Sequence, residues 1–206
     1  MSRTITRLFD DYSDAKAAVH DLEQLGVPHD DLSIIANNAH GEHGDHDVSD
    51  VNAHGDVSRG ASTGAALGGV GGLLAGLGLL AIPGLGPIVA AGWLASTAAG
   101  AAIGGIGGAA TGSLVGALKN AGESEDDANV YSEGVRRGGT LVSARVAESL
   151  APEAEAVLNR HRGVDAGTRG AAYRQSGWSR FDSDAPAYTR EEIARERSTY
   201  REPTIV

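Results

Sequence analysis

Glycine recurs at every fourth position in two separate runs within residues 60–118, a segment that contains no charged side chain. Residues spaced by four lie on one face of a helix, and glycine on that face lets a second helix approach closely. The pattern predicts two helices joined by a turn at 83–87, with Gly92 and Ser96 opening the second repeat. The predicted helix-packing residues are Gly60, Gly64, Gly68, Gly72, Gly76, Gly100, Gly104, Gly108, Gly112 and Gly116.

The length of the predicted first helix, residues 60–81, favours a membrane. At about 1.5 Å per residue it extends for about 33 Å, close to the hydrocarbon thickness of a bilayer. Trp93 would then lie near the far interface. We therefore expect a membrane-inserted, self-associating hairpin in the cytoplasmic membrane, with lipid contacts and both termini in the cytoplasm. The alternative is a cytoplasmic homo-oligomer in which the glycine faces pack together away from lipid.

The segments on either side of the hairpin have globular patterns. Residues 1–36 predict a strand, a helix and a strand, and residues 119–162 predict a helix, a strand and a helix. In residues 119–162, the first helix is predicted to begin at Ser124, which opens a capping box. Each half has too few apolar residues for its own core. We therefore expect one small α+β domain of split ferredoxin-like type (βαβ … αβα), interrupted by an all-helical glycine-zipper hairpin at 60–118.

Two stretches of these halves also resemble a known family. Residues 9–35 read FDDYSDAKAAVHDLEQLGVPHDDLSII, and residues 132–146 read SEGVRRGGTLVSARV. Together with the glycine repeat, they make residues 3–162 similar to the bacterial general stress protein family with the 17M-like domain. The resemblance implies a stress-linked, non-enzymatic, membrane-associated protein with a structural or scaffolding role. It implies no catalytic residue.

Composition argues against several other classes of function. The net charge is −10, most of it before residue 59, which argues against a nucleic-acid-binding surface. Cysteine is absent, so disulfides and thiolate chemistry are excluded. No phosphate-binding GxxxxGK[ST] loop occurs, and no nucleophile, base and acid stand in a recognisable context. We therefore expect neither an enzyme nor a cofactor. The first residues lack the apolar region of a secretory signal, which favours a cytoplasmic domain.

Residues 37–59 form a polar linker that is rich in histidine and aspartate. Imidazole and carboxylate groups bind zinc, nickel or copper, so the linker is a weak candidate for metal binding or pH sensing. A solvated polar spacer is the competing interpretation. The candidate ligands are His40, His43, His46 and His54.

Residues 163–206 are rich in arginine and aromatic residues and lie outside the family resemblance. They predict a flexible, mostly disordered tail with a short helix near 190–200, opened by a capping box at Thr189. Trp178 and Phe181 are candidate anchors for a protein partner, because aromatic residues are favoured at interfaces. A lipid surface and an unstructured tail are the alternatives.

Overall fold

The computed structural model describes residues 2–38, 78–82, 84–97 and 114–200, which form a mixed α/β fold. Its elements combine one sheet with helices on both sides, so the predicted α+β class is confirmed. The strands are β1 (Ser2–Phe9), β2 (Leu32–Asn37), β3 (Gly78–Ile82), β4 (Gly86–Gly92) and β5 (Thr140–Ala147). The helices are α1 (Tyr12–Gln24), α2 (Leu114–Asn120), α3 (Glu125–Arg136), α4 (Ala151–Arg160), α5 (Ala166–Gln175) and α6 (Arg190–Tyr200).

The five strands form one antiparallel sheet in the order β1-β5-β2-β4-β3. Strand β5 lies between β1 and β2, where Ser143 pairs with Thr6 on one side and with Ser33 on the other. Residues before and after the predicted hairpin therefore share a single sheet. This arrangement supplies the core that neither half has enough apolar residues to build alone.

Alternation along the strands sends neighbouring side chains to opposite faces of the sheet. Phe9, Ile34 and Val142 pack with α1 and α4 on one face. Leu8, Ile35 and Leu141 pack on the other face with residues of α2, α3 and α5. Because helices cover both faces, the central strands are apolar on both sides.

The helix starts follow the local sequence. Ser124 Oγ accepts a hydrogen bond from the Asp127 backbone N–H at 3.1 Å, as the predicted capping box requires. At α6, the Glu192 carboxylate accepts from the Thr189 N–H at 2.8 Å, and Thr189 Oγ1 accepts from the Glu192 N–H at 3.3 Å. The predicted short helix near 190–200 is thus confirmed as Arg190–Tyr200.

The all-helical hairpin is wrong over 78–92, where β3 and β4 form a β-hairpin instead. The predicted turn is in the right place, with the Leu85 N–H donating to the Ile82 carbonyl at 3.0 Å. Strand β4 pairs with β2 and satisfies backbone groups that would otherwise be left at an open sheet edge. Gly92 belongs to the repeat that predicts the second helix, but in the structure it ends β4 with a φ of +89°. A Cβ there would clash with the carbonyl oxygen of Leu32.

The prediction of a transmembrane hairpin is also wrong. Within the described ranges, no helix has both the length and the apolar character needed to cross a bilayer. Ile88 and Leu94 are buried in the protein's own core, and the Trp93 indole N–H donates to the Asp31 carbonyl at 3.2 Å. Apolar residues that seemed suited to lipid therefore pack within this domain. Of the ten predicted helix-packing glycines, Gly116 lies in α2 and the others fall outside the described residues.

The structure corrects the expectation of a mostly disordered tail for residues 163–200. Besides α6, this segment forms α5, which is capped by the Asp165 carboxylate accepting from the Thr168 N–H at 2.8 Å. Tyr173, Phe181 and Ile193 are all buried. Apolar contacts with the domain thus order a segment that has too few apolar residues to form a core alone.

Candidate docking and ligand site

The EGVRR part of the family-like segment forms a buried ionic cluster at the end of α3. Glu133 is completely buried, and one carboxylate oxygen accepts from Arg137 Nε at 2.7 Å. Arg136 donates to both carboxylate oxygens, at 2.9 and 3.0 Å. The i, i+3 and i, i+4 spacing brings these side chains to one helix face. A buried carboxylate needs such partners to remain charged.

Arg137 also joins this cluster to the C-terminal segment. Its Nη1 lies 3.1 Å from Glu196 Oε2 on α6. Its guanidinium lies 4.3 Å from the ring centre of Tyr173 on α5, within the range of a cation–π contact. Burial raises the pKa of Tyr173 far above its usual value, so this phenol stays neutral under ordinary conditions.

Helix α6 rests on the turn between α3 and β5. Ile193 is fully buried against Gly138, where a Cβ would clash with the isoleucine side chain. Arg197 donates to the Gly138 carbonyl at 2.9 Å. We name this set of contacts, made by Arg137, Gly138, Ile193, Glu196 and Arg197, the α6 seat. The absence of a side chain at Gly138 makes the close approach of Ile193 feasible.

A second arginine–aromatic group lies beside the seat. Arg169 Nη2 donates to Asp10 Oδ2 at 2.7 Å, and the Arg169 guanidinium lies 4.2 Å from the Tyr200 ring centre. Tyr200 in turn meets Tyr173 edge-on, with ring centres 6.1 Å apart. These contacts connect the end of α6 to the β1–α1 junction through α5.

A cavity of about 430 Å³ opens next to Arg169. Its walls come from the β1–α1 junction, the α4–α5 connection, α5 and the end of α6. Residues of both charge signs line it. The charged and aromatic lining residues are Asp10, Asp11, Asp14, Arg162, Arg169 and Tyr200.

The two predicted docking anchors pack inside this molecule. Phe181 is 8% exposed and belongs to the core cluster on the α3 side of the sheet. Trp178 packs against the same cluster and meets Tyr173 edge-on, with ring centres 5.7 Å apart. Both residues thus attach the C-terminal segment to its own domain.

The predicted metal ligands His40, His43, His46 and His54 lie outside the described residues. Within the ranges that the structure describes, no group of three or more histidine, aspartate or glutamate side chains is placed to hold a metal ion.

Neither the α6 seat nor the cavity was predicted from the sequence. The spacing of Glu133, Arg136 and Arg137 on one helix face was the available signal for the ionic cluster. The Arg169–Asp10 pair joins residues 159 positions apart, and no local pattern indicates such a pairing. Searches for related proteins found no matching family model, no matching curated protein and no matching solved structure.

Proposed function

We propose that this chain is a non-enzymatic stress-response protein with a structural or scaffolding role. The observation that carries the proposal is the α6 seat, in which Arg137 and Gly138 of the family-like segment hold helix α6. Arg137 is ion-paired with Glu196 in the seat and with the buried Glu133 next to it. The family-like segment at residues 132–146 thus attaches α6 to the rest of the domain. This contact is structural, which supports a structural role for the protein.

Survival under stress tests this role. A strain lacking the gene would be shifted to heat, cold and high osmolarity, then complemented with the wild type or with an Arg137→Ala variant that disrupts the seat. We expect wild type to restore survival under at least one stress, and the variant to restore less. Survival of the deletion strain equal to that of its parent under every stress would refute the role.

The finer fold assignment that we propose is a ferredoxin-like core extended by the β3–β4 hairpin. Support comes from β5 lying between β1 and β2, and from α1 and α4 sharing one face of the sheet. Val164, which follows α4, forms an antiparallel bridge with Leu8 at the outer edge of β1. In a ferredoxin-like sheet the last strand pairs with the first strand at this edge. Here the bridge at Val164 takes that position, and the last strand is reduced to one residue.

Scaffolding requires self-association, and we place it in the glycine repeats. Light scattering on the full-length protein would compare Gly104→Leu/Gly112→Leu with the off-register control Ala102→Leu/Ala110→Leu. We expect the wild type and control to be oligomers and the glycine variant to dissociate, because leucine blocks close helix approach. A monomeric wild type, or equal behaviour of the two variants, would contradict the proposal.

A second candidate function is partner recruitment by the C-terminal segment. It is favoured by one feature of α6 (Arg190–Tyr200), in which Ile193 is the one buried residue. A helix held by few buried side chains opens at low free-energy cost. If recruitment occurs, Ile193→Asp should strengthen binding of a partner that the wild type also binds, and Trp178→Ala/Phe181→Ala should weaken it. Binding unchanged by either variant would exclude this function.

A further inference from the structure

The cavity beside Arg169 has the size and the mixed lining of a small-molecule site. Its volume of about 430 Å³ falls within the usual range for ligand pockets. Val164, Ala172 and the ring of Tyr200 supply apolar surface, whereas aspartates and arginines supply charge. Such pockets bind through apolar contact and use a few polar groups to orient the ligand.

Arg169 lines the cavity and brings its guanidinium group to this part of the molecule. Its side chain is 4% exposed, and Nη2 is held by Asp10. Nη1 is buried and has no hydrogen-bond partner among the described residues. A buried donor without an acceptor is destabilising, so an acceptor brought by a ligand would relieve that cost. Carboxylates suit the planar fork of arginine donors particularly well.

The acidic wall, formed by Asp11 and Asp14, suits a cation. Arg162 Nη2 lies 2.5 Å from Asp14 and 4.0 Å from Asp11, and its side chain is 72% exposed. An ion pair this exposed contributes little to stability and is easily exchanged. The Arg162 guanidinium therefore marks where the positive group of a ligand would bind.

From these two charged walls we propose that the cavity binds a small zwitterion, an α-amino acid with an apolar side chain. The carboxylate accepts from Arg169, the ammonium lies against Asp11 and Asp14, and the side chain packs on Val164, Ala172 and Tyr200. This binding is independent of the proposed scaffolding role, since the α6 seat has its own ionic groups.

Three probes that share one aliphatic body separate the contributions of the two charges. L-Leucine carries both charges, 3-methylbutylamine lacks the carboxylate, and 4-methylpentanoate lacks the ammonium. Calorimetry and saturation-transfer NMR on the full-length protein at neutral pH would compare them. We expect leucine to bind, and each analogue to bind about tenfold or more weakly, because each lacks one of the two charges that the cavity walls complement.

Paired variants on α5 locate the site. Ala172→Leu fills the cavity without removing a charge, and Ala171→Leu adds the same side chain at an exposed neighbouring position. We expect the first to abolish leucine binding and the second to preserve it. Asp14→Asn should weaken leucine binding about tenfold while leaving that of 4-methylpentanoate no weaker. Thermal unfolding would verify that each variant is folded.

Three results would each overturn the proposal. The first is leucine binding that Ala172→Leu leaves unchanged, and the second is an amine that binds as tightly as leucine. The third is the absence of saturable leucine binding up to about 10 mM, a concentration that would nearly saturate a site with a Kd of about 1 mM. None of these results depends on stress survival or on oligomer mass. The amino-acid site can therefore be refuted without refuting the scaffolding role, and the reverse also holds.

Discussion

Arg137 Nη1 lies 3.1 Å from Glu196 Oε2, joining residues that are 59 positions apart in the chain. The same guanidinium donates through Nε to the buried carboxylate of Glu133 at 2.7 Å. One arginine thus stabilises a buried charge in the core and holds α6 in place. Loss of that side chain should therefore affect two parts of the molecule together.

Replacing Arg137 by alanine should destabilise the fold by about 3 kcal/mol, because Glu133 loses a partner while buried. Urea unfolding followed by circular dichroism measures this change. Arg195→Ala, an exposed arginine on α6, is the control and should change stability by less than about 0.5 kcal/mol. Equal effects of the two substitutions would show that the ionic cluster contributes no more than a surface arginine.

Ile193→Ala should release α6 without unfolding the sheet. Removing most of a buried isoleucine weakens docking by about 2 kcal/mol, which predicts about 30-fold faster amide exchange in α6. Hydrogen exchange read by mass spectrometry resolves residues 190–200 from β1 and β5, whose exchange should stay unchanged. Ala194→Ser, at an exposed position of the same helix, should leave α6 protected. Faster exchange throughout the sheet would mean that α6 and the core unfold together.

Gly92→Ala should be more destabilising than Gly122→Ala, although both glycines have positive φ, +89° and +101°. An alanine in that backbone region costs about 1 kcal/mol at either position. At Gly92 the added Cβ also clashes with the Leu32 carbonyl, whereas nothing lies within 4 Å at Gly122. Chemical denaturation of the two variants isolates the steric contribution of the β2–β4 contact. Similar losses of stability would indicate that β4 does not approach β2 this closely in solution.

The contact between Asp21 and His161 should give a pH-dependent contribution to stability. His161 Nε2 lies 2.8 Å from Asp21 Oδ2 and links α4 to α1. This hydrogen bond, aided by the charges of His161, Arg160 and His20, lowers the pKa of Asp21 below its ordinary value of 3.8. A lowered folded-state pKa stabilises the protein above the unfolded value, and the stabilisation is lost as pH falls through the folded value.

Asp21→Asn should therefore be less stable than wild type near pH 6 by about 0.5 kcal/mol, a small value because the pair is partly exposed. The difference should shrink as pH falls from about 3.8, where Asp21 of the unfolded chain becomes protonated, through the lower pKa of Asp21 in the folded protein. Urea unfolding at a series of pH values measures it. A difference that stays constant down to pH 2 would assign the effect to a cause other than the charge of Asp21.

Much of the fold outside the glycine-rich segment follows from local patterns. The period of apolar residues predicts β1, α1, β2 and β5, and the capping residues Ser124 and Thr189 predict where α3 and α6 begin. These signals depend on interactions within one or two turns of chain. The folded-back C-terminal segment was missed, because Tyr173, Phe181 and Ile193 become ordered only against surfaces formed by distant residues.

The stretch at 78–92 shows where local patterns fail. Short apolar runs are compatible with a buried strand or a buried helix, and periodicity alone does not separate the two. Pairing of β4 with β2 decides the outcome here, since a strand in that place completes the sheet and buries Ile88 and Leu94 in the core. The glycine repeat that predicted helices includes Gly92, whose role is a close contact with Leu32.

The sequence by itself determined the α+β class, the elements with clear periods and the helix caps, because those depend on neighbours along the chain. Only the tertiary structure decided that β5 lies between β1 and β2, that Arg137 holds α6, and that Arg169 faces Asp10 beside a cavity. Each of these contacts joins residues far apart in sequence. Their free energy arises from burial and charge pairing, which exist only once the sheet has assembled.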